Sequence, residues 1–425
     1  MEHLTKDLQF VNNLFGYAQS KGLAFLESPK DEYSNNIIHY QGKRLTNFLT
    51  NSYLALENDP RVKKAAIEGV ERYGVFTSVS RTFLSFNHFL ELEEKLEKIY
   101  GLPTFVINNV SQGHFAYLPL IIGQNDAIIT DQFVHRTVGM AVQYLNGGGI
   151  YSEVVRHNQM QDLEKRITIL SERYDKVWYL TDSIFSMHGD VAPFADIEVL
   201  LNSHEKFNLY IDDAHGMSWM GENGKGVTFH NIPRHDKMFV ISSLNKGFGG
   251  TNAAMIFPNQ KYKDLVNRLG LPVIFSSPTM HAGITAASAI ADIHLSVEIY
   301  ERQMMLNERI KFFKQRVQEL NIPMINPNAH TPIGFIVLGN VEATVQFGEK
   351  MQERGFIMSI ASAPSVPLKH SGYRVTLSLH QSMKDIENLC DNAAECMFEL
   401  EKSGVFNREI AFRNIHQSER KRIVV

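Results

Sequence analysis

From about residue 59 the chain alternates helix-period segments with short apolar runs, and this constrains its fold more than any other feature. The helical segments are "PRVKKAAIEGVERYG", "HFLELEEKLEKIYG" and "MQDLEKRITILSERY"; the runs are "TFVINN", "DAIITD", "KVWYLTD", "FNLYIDD" and "KMFVISS". Short runs that are apolar throughout need cover on both faces. Helices between them supply it, which is the pattern of a parallel α/β sheet. Several runs end in polar or acidic residues, where the active sites of open α/β sheets gather. After a helical stretch over about 279–320 the pattern changes to "PIGFIVLG", a helix near 341–355, "FIMSIA", "GYRVTLSL" and a last helix from Met383. That predicts a smaller α+β domain. The first fifty-odd residues read as a helix followed by a β-ribbon, "NNIIHYQGKRLTNFLT". The expected organisation is an N-terminal helix and ribbon over 1–58, a large domain over 59–298 and a small domain over 299–425.

The 425 residues exceed one average domain, in keeping with this division. The charge of 42 − 46 = −4 offers no basic excess for nucleic acid. The basic C-terminal "SERKRIVV" reads as a solvated tail. Cys390 and Cys396, six residues apart on a predicted helix, lie roughly 240° apart around it, which suits neither a disulfide nor a metal pair. "MEHLTKDLQFVNNLF" has no apolar core of signal-peptide type, and no stretch approaches 18 apolar residues. A cytoplasmic protein without a membrane span is expected. The chain also lacks GxxxxGK[ST], HExxH and GxSxG patterns, and no metal site is expected.

The chemistry gathers at five run ends. "SSLNKGFGG" places Lys246 after an apolar run and before three closely spaced glycines; "YIDDAHG" places Asp212 and His215, "LTDSIFSMHGD" Ser186, and "TDQFVHRTV" His135. "NNVSQGHFAY" is a Ser/Gln/Gly turn opening a helix. A buried ammonium is costly unless something compensates it. Singly, each residue fits a cap, a core histidine or a turn. Together they match what pyridoxal 5′-phosphate (PLP) requires. That cofactor needs a lysine for a Schiff base and a carboxylate to keep its ring nitrogen protonated. It also needs a partner for the ring oxygen, a flat group on the ring face, and N–H groups at a helix start for the phosphate. Lys246, Asp212, His215, His135 and the 111–115 turn supply one of each, and a Schiff base explains how Lys246 avoids an uncompensated charge.

Several motifs, in order, resemble the α-oxoamine synthase family of fold-type-I PLP-dependent enzymes. "NSYLAL" resembles its N-x-Y-L-x-L, "SRTFLSFNHFLELEEKL" its S-R…G…H…L-E-x-x-L, and "FSMHGDVAPF" its F-S-M-D-G-D-x-A-P. "IDDAHG" is similar to V-D-D-A-H-G, "SSLNKGFGG" to T-L-x-K-x-F-G, "FSSPTMHAG" to F-S-T-S-x-P-P, and "YRVTLSLHQSMKDI" to the Arg-bearing strand before the last helix. The resemblance implies an α/β fold whose large domain holds a mostly parallel seven-stranded sheet between helices, beside a small C-terminal α+β domain. It makes Lys246 the Schiff-base lysine and α-proton base, Asp212 the partner of the ring nitrogen, and His135 the stacking group. His215 and Ser186 would bond the ring oxygen. The phosphate would take the Gln112–Gly113–His114 turn, with backbone N–H from Gly113 and His114 and the Ser243 hydroxyl. Ser276 and Ser277 would serve the neighbouring subunit's phosphate in a homodimer with shared sites. Arg374 with Asn51 would hold a substrate carboxylate, a task suited to a guanidinium fork.

The activity so implied joins a small α-amino acid to an acyl thioester, carried by CoA or acyl-carrier protein, with loss of CO2. Aminotransferases and PLP lyases share the fold and form the alternative. Departures stand out: "SQGHFAY" has Tyr117 where the family has Asn, "SMHGD" has His188 for Asp, and "VSRTFLSFNH" lacks two glycines. The first arginine is Arg44, so the upstream arginine with which relatives grip a carboxylated acyl chain or CoA is missing. This favours a long-chain donor, as in sphingoid-type or sulfonolipid-type bases, over a pimeloyl one.

Overall fold

The computed structural model describes residues 5–27, 33, 34 and 36–423, with side chains given to 416 except at 33 and 34. These residues form two compact units: one of 52–186 and 191–304, the other of the described residues up to 51 with 187–190 and the chain from 305 onward.

The larger unit is built on seven strands: β1 (Thr104–Ile107), β2 (Ala127–Asp131), β3 (Tyr151–Val155), β4 (Val177–Asp182), β5 (Phe207–Asp212), β6 (Met238–Ser243) and β7 (Ala253–Ile256). Their order is β1-β7-β6-β5-β4-β2-β3; β7 runs against both neighbours, and the other pairings are parallel. The fold class is therefore the expected one, a mostly parallel sheet of seven strands flanked by helices. The five runs read from the sequence are β1, β2, β4, β5 and β6. Every residue of β4, β5 and β6 is buried, which explains their unbroken apolar character. Trp178 and Tyr210 are wholly buried, and each finds a polar partner: Trp178 Nε1 donates to Asp126 Oδ2 at 2.9 Å. Side chains of this size each contribute roughly 1.5–3 kcal/mol by burial.

Two helices position the site. In α1 (Val110–Ile121) the cap is Asn109, whose side chain accepts from Gln112 N at 2.8 Å. In α2 (Arg136–Gly147) the cap is His135, whose Nδ1 accepts from Thr137 N. The stretch expected to be helical over 279–320 is a pair, His281–His294 and Glu298–Glu319. Among the described residues no single helix is long and apolar enough to cross a membrane.

The smaller unit contains helix Lys6–Ser20 and the expected ribbon, Ile37–Tyr40 against Lys43–Asn47. The sequence reading set 1–58 apart; the described residues up to 51 cluster with the C-terminal region, where strand Lys43–Asn47 pairs in parallel with Phe356–Ile357, and 52–58 cluster with the larger unit. A second sheet runs Met324–Ile325, Ile333–Val337, Gly372–Thr376, Ser359–Ala361. Helix Met383–Lys402 starts at a capping box between Ser382 and Asp385 and buries Cys390 and Cys396 as free thiols. A further helix, Arg408–Ile423, takes in the segment read as a tail as far as 423; 424 and 425 lie outside the described residues. Its side chains beyond 416 lie outside the described residues.

Candidate active site

Parallel strands bring the site together at their C-terminal ends. Asp182, Asp212 and Ser243 are the last residues of β4, β5 and β6, and Asp182 and Asp212 are direct register partners. His135 stands between β2 and α2, and its N–H donates to Asp182 Oδ1 at 3.0 Å.

Lys246 lies three residues beyond β6 and is half-buried. Its Nζ is 2.8 Å from His215 Nε2, and His215 Nδ1 shares a 2.6 Å hydrogen bond with the Tyr53 hydroxyl. The glycines after the lysine permit close packing. A Cβ on Gly247 would lie 2.6 Å from the Met217 carbonyl, and Gly249 has φ +83°. The loop is thus seated on neighbouring backbone, so Lys246 has a defined position.

Asp212 is buried, and Oδ1 accepts from Ala214 N at 3.0 Å while Oδ2 lies 3.4 Å from His114 Nε2. Burial alone would push its carboxyl up. His114, Lys246 and His135 outweigh burial and hold Asp212 below the usual carboxylate range. Asp182 goes the other way: burial and the adjacent Asp212 charge push it well up. The two neighbouring carboxyls are thus pushed in opposite directions, with the basic groups facing Asp212. Burial also pushes Asp213 up, to about 7. His135 is lowered, chiefly by burial, so its imidazole is neutral near neutrality.

The expected phosphate donors need correction. The Gly113 N–H is taken by the Asn109 carbonyl at 3.0 Å, and His114 N–H lies a further residue into the helix. The first N–H groups of α1, those of Val110 and Ser111, have no intrahelical acceptor and are the donors this helix start can offer. Gly113 is needed for another reason: a Cβ there would meet Ile241 Cδ1 at 2.2 Å. Ser243 Oγ donates to Asn245 Oδ1. Gln112 Nε2 donates to Ser276 Oγ at 2.7 Å and to the Pro272 carbonyl at 3.0 Å, while Ser277 is exposed and its carbonyl accepts from Asn108 Nδ2 at 2.9 Å. Ser186 is half-buried, four residues past β4.

Asn51 and Arg374 belong to the smaller unit and are both half-buried. Arg374 is the middle residue of strand Gly372–Thr376, between Phe335 and Ser359. The same unit holds His188, its ring edge-on to Phe335 at 5.6 Å. Sequence reading missed two side chains, Tyr53 and the imidazole of His114. Tyr53 was visible as the aromatic of "NSYLAL". His114 was read only for its backbone N–H in the phosphate turn.

The donor set suits PLP: a lysine, an ionised aspartate, two histidines and a helix start with open N–H groups. Among the described residues no group of three or more His, Cys, Asp or Glu is placed to hold a metal ion.

Comparison with known proteins agrees. The model of the family "Aminotransferase class I and II" matches residues 43–392. An 8-amino-7-oxononanoate synthase of Alkaliphilus oremlandii is 29% identical over 350 residues, 81% of this chain and 85% of that one. Its counterpart in Thermosipho melanesiensis is 29% identical over 85% of this chain and 90% of its own. The structure of a serine palmitoyltransferase from S. paucimobilis with bound PLP–myriocin aldimine superposes with a TM-score of 0.83 at 19% identity, covering 94% of this chain and 100% of that one. At that identity the likeness supports the fold alone. The chain belongs to the aminotransferase class I and II family.

Proposed function

We propose that the protein is a PLP-dependent acyltransferase that condenses a small α-amino acid with an acyl thioester, releasing CO2 and a free thiol and leaving an α-amino ketone. The observation that carries this is the pairing of Lys246, set against His215, with an Asp212 that stays ionised although buried. PLP, when bound, supplies an electron sink for the α-carbon. Asp212 would keep that sink protonated, His135 would cover its face, and His215 with Ser186 would hold its oxygen. The N–H groups of Val110 and Ser111 with the Ser243 hydroxyl would take the phosphate. Lys246 Nζ would carry the α-proton, and Arg374 with Asn51 would bind the substrate carboxylate that is lost as CO2. In bond terms, the Cα–H and Cα–carboxylate bonds of the amino acid and the acyl C–S bond break, a bond from Cα to the acyl carbon forms, the thiolate departs, and a proton returns to Cα in place of the CO2.

The donor we favour is a long-chain thioester. No arginine precedes Arg44 to meet a carboxylated acyl end. The relatives named above make the pimeloyl donor the comparison to run. A homodimer is part of the reading: Phe83 and Phe275, 84% and 82% exposed, would be covered by a second copy, and Phe275 directly precedes Ser276 and Ser277. We place the enzyme in the cytoplasm, in keeping with its two buried free thiols.

The test is thiol release by purified protein across small amino acids with palmitoyl and pimeloyl thioesters on CoA and on acyl-carrier protein. Release should need both substrates and yield equimolar CO2. Borohydride should fix PLP to Lys246, and Lys246→Ala should lose the label and turnover. Amino-group transfer or amino-acid cleavage without thiol release would replace this reading by the aminotransferase or lyase alternative.

A further inference from the structure

We propose that His114 is a positioning residue whose Nε2, beside Asp212 Oδ2, orients the Asp212 carboxylate. The inference rests on the function proposed above, in which Asp212 faces the ring nitrogen of PLP.

Tyr210 and Asp212 are two residues apart on β5, so their side chains leave the same face of the sheet. His114, wholly buried on α1, bridges them: Nδ1 is 2.8 Å from the Tyr210 hydroxyl and Nε2 is 3.4 Å from Asp212 Oδ2. Burial, with the Asp212 charge second, pushes Tyr210 well up, so it stays a hydroxyl and has a proton to give. When the hydroxyl donates to Nδ1, the neutral ring carries its single proton on Nε2, facing the carboxylate. The opposite tautomer would set a bare nitrogen lone pair against an anion inside the protein. Tyr210 thereby selects the ring form that attracts Asp212.

Asp212 needs such a partner because of what surrounds it. Asp182 is its register neighbour on β4, and Asp213 is the first residue past β5. The basic groups facing it are His114 from α1, Lys246 from the loop after β6 and His135 from the start of α2. Lys246 and His135 are assigned to other work in the site. His114 is the group of the three with no second task. With Ala214 N on the other oxygen, it fixes the plane of the carboxylate.

His114→Phe keeps a ring of similar size and removes both nitrogens; His114→Gln restores an N–H donor. The readouts are the affinity of cofactor-free chains for PLP and the pH titration of the bound cofactor's visible band, with melting temperature as control. His114→Phe should bind PLP at least tenfold more weakly and shift the titration midpoint by half a pH unit or more. His114→Gln should recover most of both. Tyr210→Phe, which deletes one oxygen, should shift the midpoint in the same direction by less, and it carries the test if His114→Phe does not fold. Wild-type affinity and midpoint in the folded variants would overturn the role of His114 while leaving the function standing. A wild-type chain that takes up no PLP would overturn both.

Discussion

The Tyr53 hydroxyl lies 2.6 Å from His215 Nδ1, and the other nitrogen of the same ring lies 2.8 Å from Lys246 Nζ. A phenol, an imidazole and an amine are thus joined in line, from the residue after Ser52 to the loop beyond β6. Tyr53 is wholly buried, so its hydroxyl needs this partner, and the bond fixes how the His215 ring faces the lysine.

Tyr53→Phe should leave the chain folded and its Lys246 in place, but free His215 to rotate. Turnover is expected to fall by about tenfold, the worth of about one net hydrogen bond. Steady-state thiol release measures this, with the melting temperature changing by only a few degrees.

Asp212→Asn removes the one carboxylate in the cluster that is held ionised. Turnover should drop by about 100-fold or more, as when one preorganised electrostatic partner is lost. Asp213 cannot take over. Burial raises it to about 7, and it is packed so close to Gly216 that a Cβ there would lie 2.0 Å from its Oδ1. A near-normal rate for Asp212→Asn would refute the assignment.

The sheet was legible where strands are buried on both faces and much less so elsewhere. β3 escaped because "YSEVV" is an edge strand of half-exposed, mixed residues, and β7 because "AAMI" is only four residues and opens on two alanines of low β-propensity. Lys246, Asp212, His135 and His215 were legible because strand ends expose chemistry in a fixed order. The phosphate turn was not, because Asn109 starts α1 early and thereby consumes the Gly113 N–H. His114 shows the same limit: its sequence neighbours mark a turn, while its partners, Tyr210 and Asp212, are about a hundred residues away.

Acid should destabilise the protein well above the carboxylate range. His294 is lowered to about 4 by burial, its Nδ1 donating to the Ile290 carbonyl at 3.0 Å and Nε2 facing Ser218 Oγ. His88 is also lowered to about 4, by burial and then by its neighbour His281. A histidine whose folded pKa lies below its unfolded value binds fewer protons when folded. Its full stability is present above about 6.5 and is lost as pH falls towards about 4, by up to roughly 1.4 kcal/mol per pH unit for each group. Chemical denaturation at pH 7 and 5 should show this loss, reduced in His294→Gln. An equal loss in that variant would remove His294 as a cause.

Arg81 has a structural task. Its guanidinium pairs with Glu93 at 2.9 Å, donates to the Val106 carbonyl at 3.0 Å and lies over the Phe105 ring. It ties helix Asn87–Tyr100 to β1. Arg81→Met should cost about 3–5 kcal/mol, because a buried Glu93 loses a partner, though Lys263 at 3.3 Å softens the loss. Urea titration at pH 7 measures it. A change below about 1 kcal/mol would show that the pair is dispensable.

Arg374 discriminates most sharply between a substrate clamp and an ordinary ion pair. It occupies the centre of a buried strand, yet is itself only half-buried, so a structural role would be paid for in stability. An exposed ion pair would contribute at most about 1 kcal/mol. A two-pronged hold on a substrate carboxylate demands the planar fork that lysine lacks. Arg374→Lys keeps the charge and loses the fork, so the two roles separate. On the clamp reading amino-acid affinity falls at least tenfold, about 1.4 kcal/mol, while PLP affinity and melting temperature hold. Titrating the amino acid against the cofactor's visible band reads the first, and thermal denaturation the second. Unchanged amino-acid affinity with a lowered melting temperature would make Arg374 structural and remove the residue assigned to the substrate carboxylate.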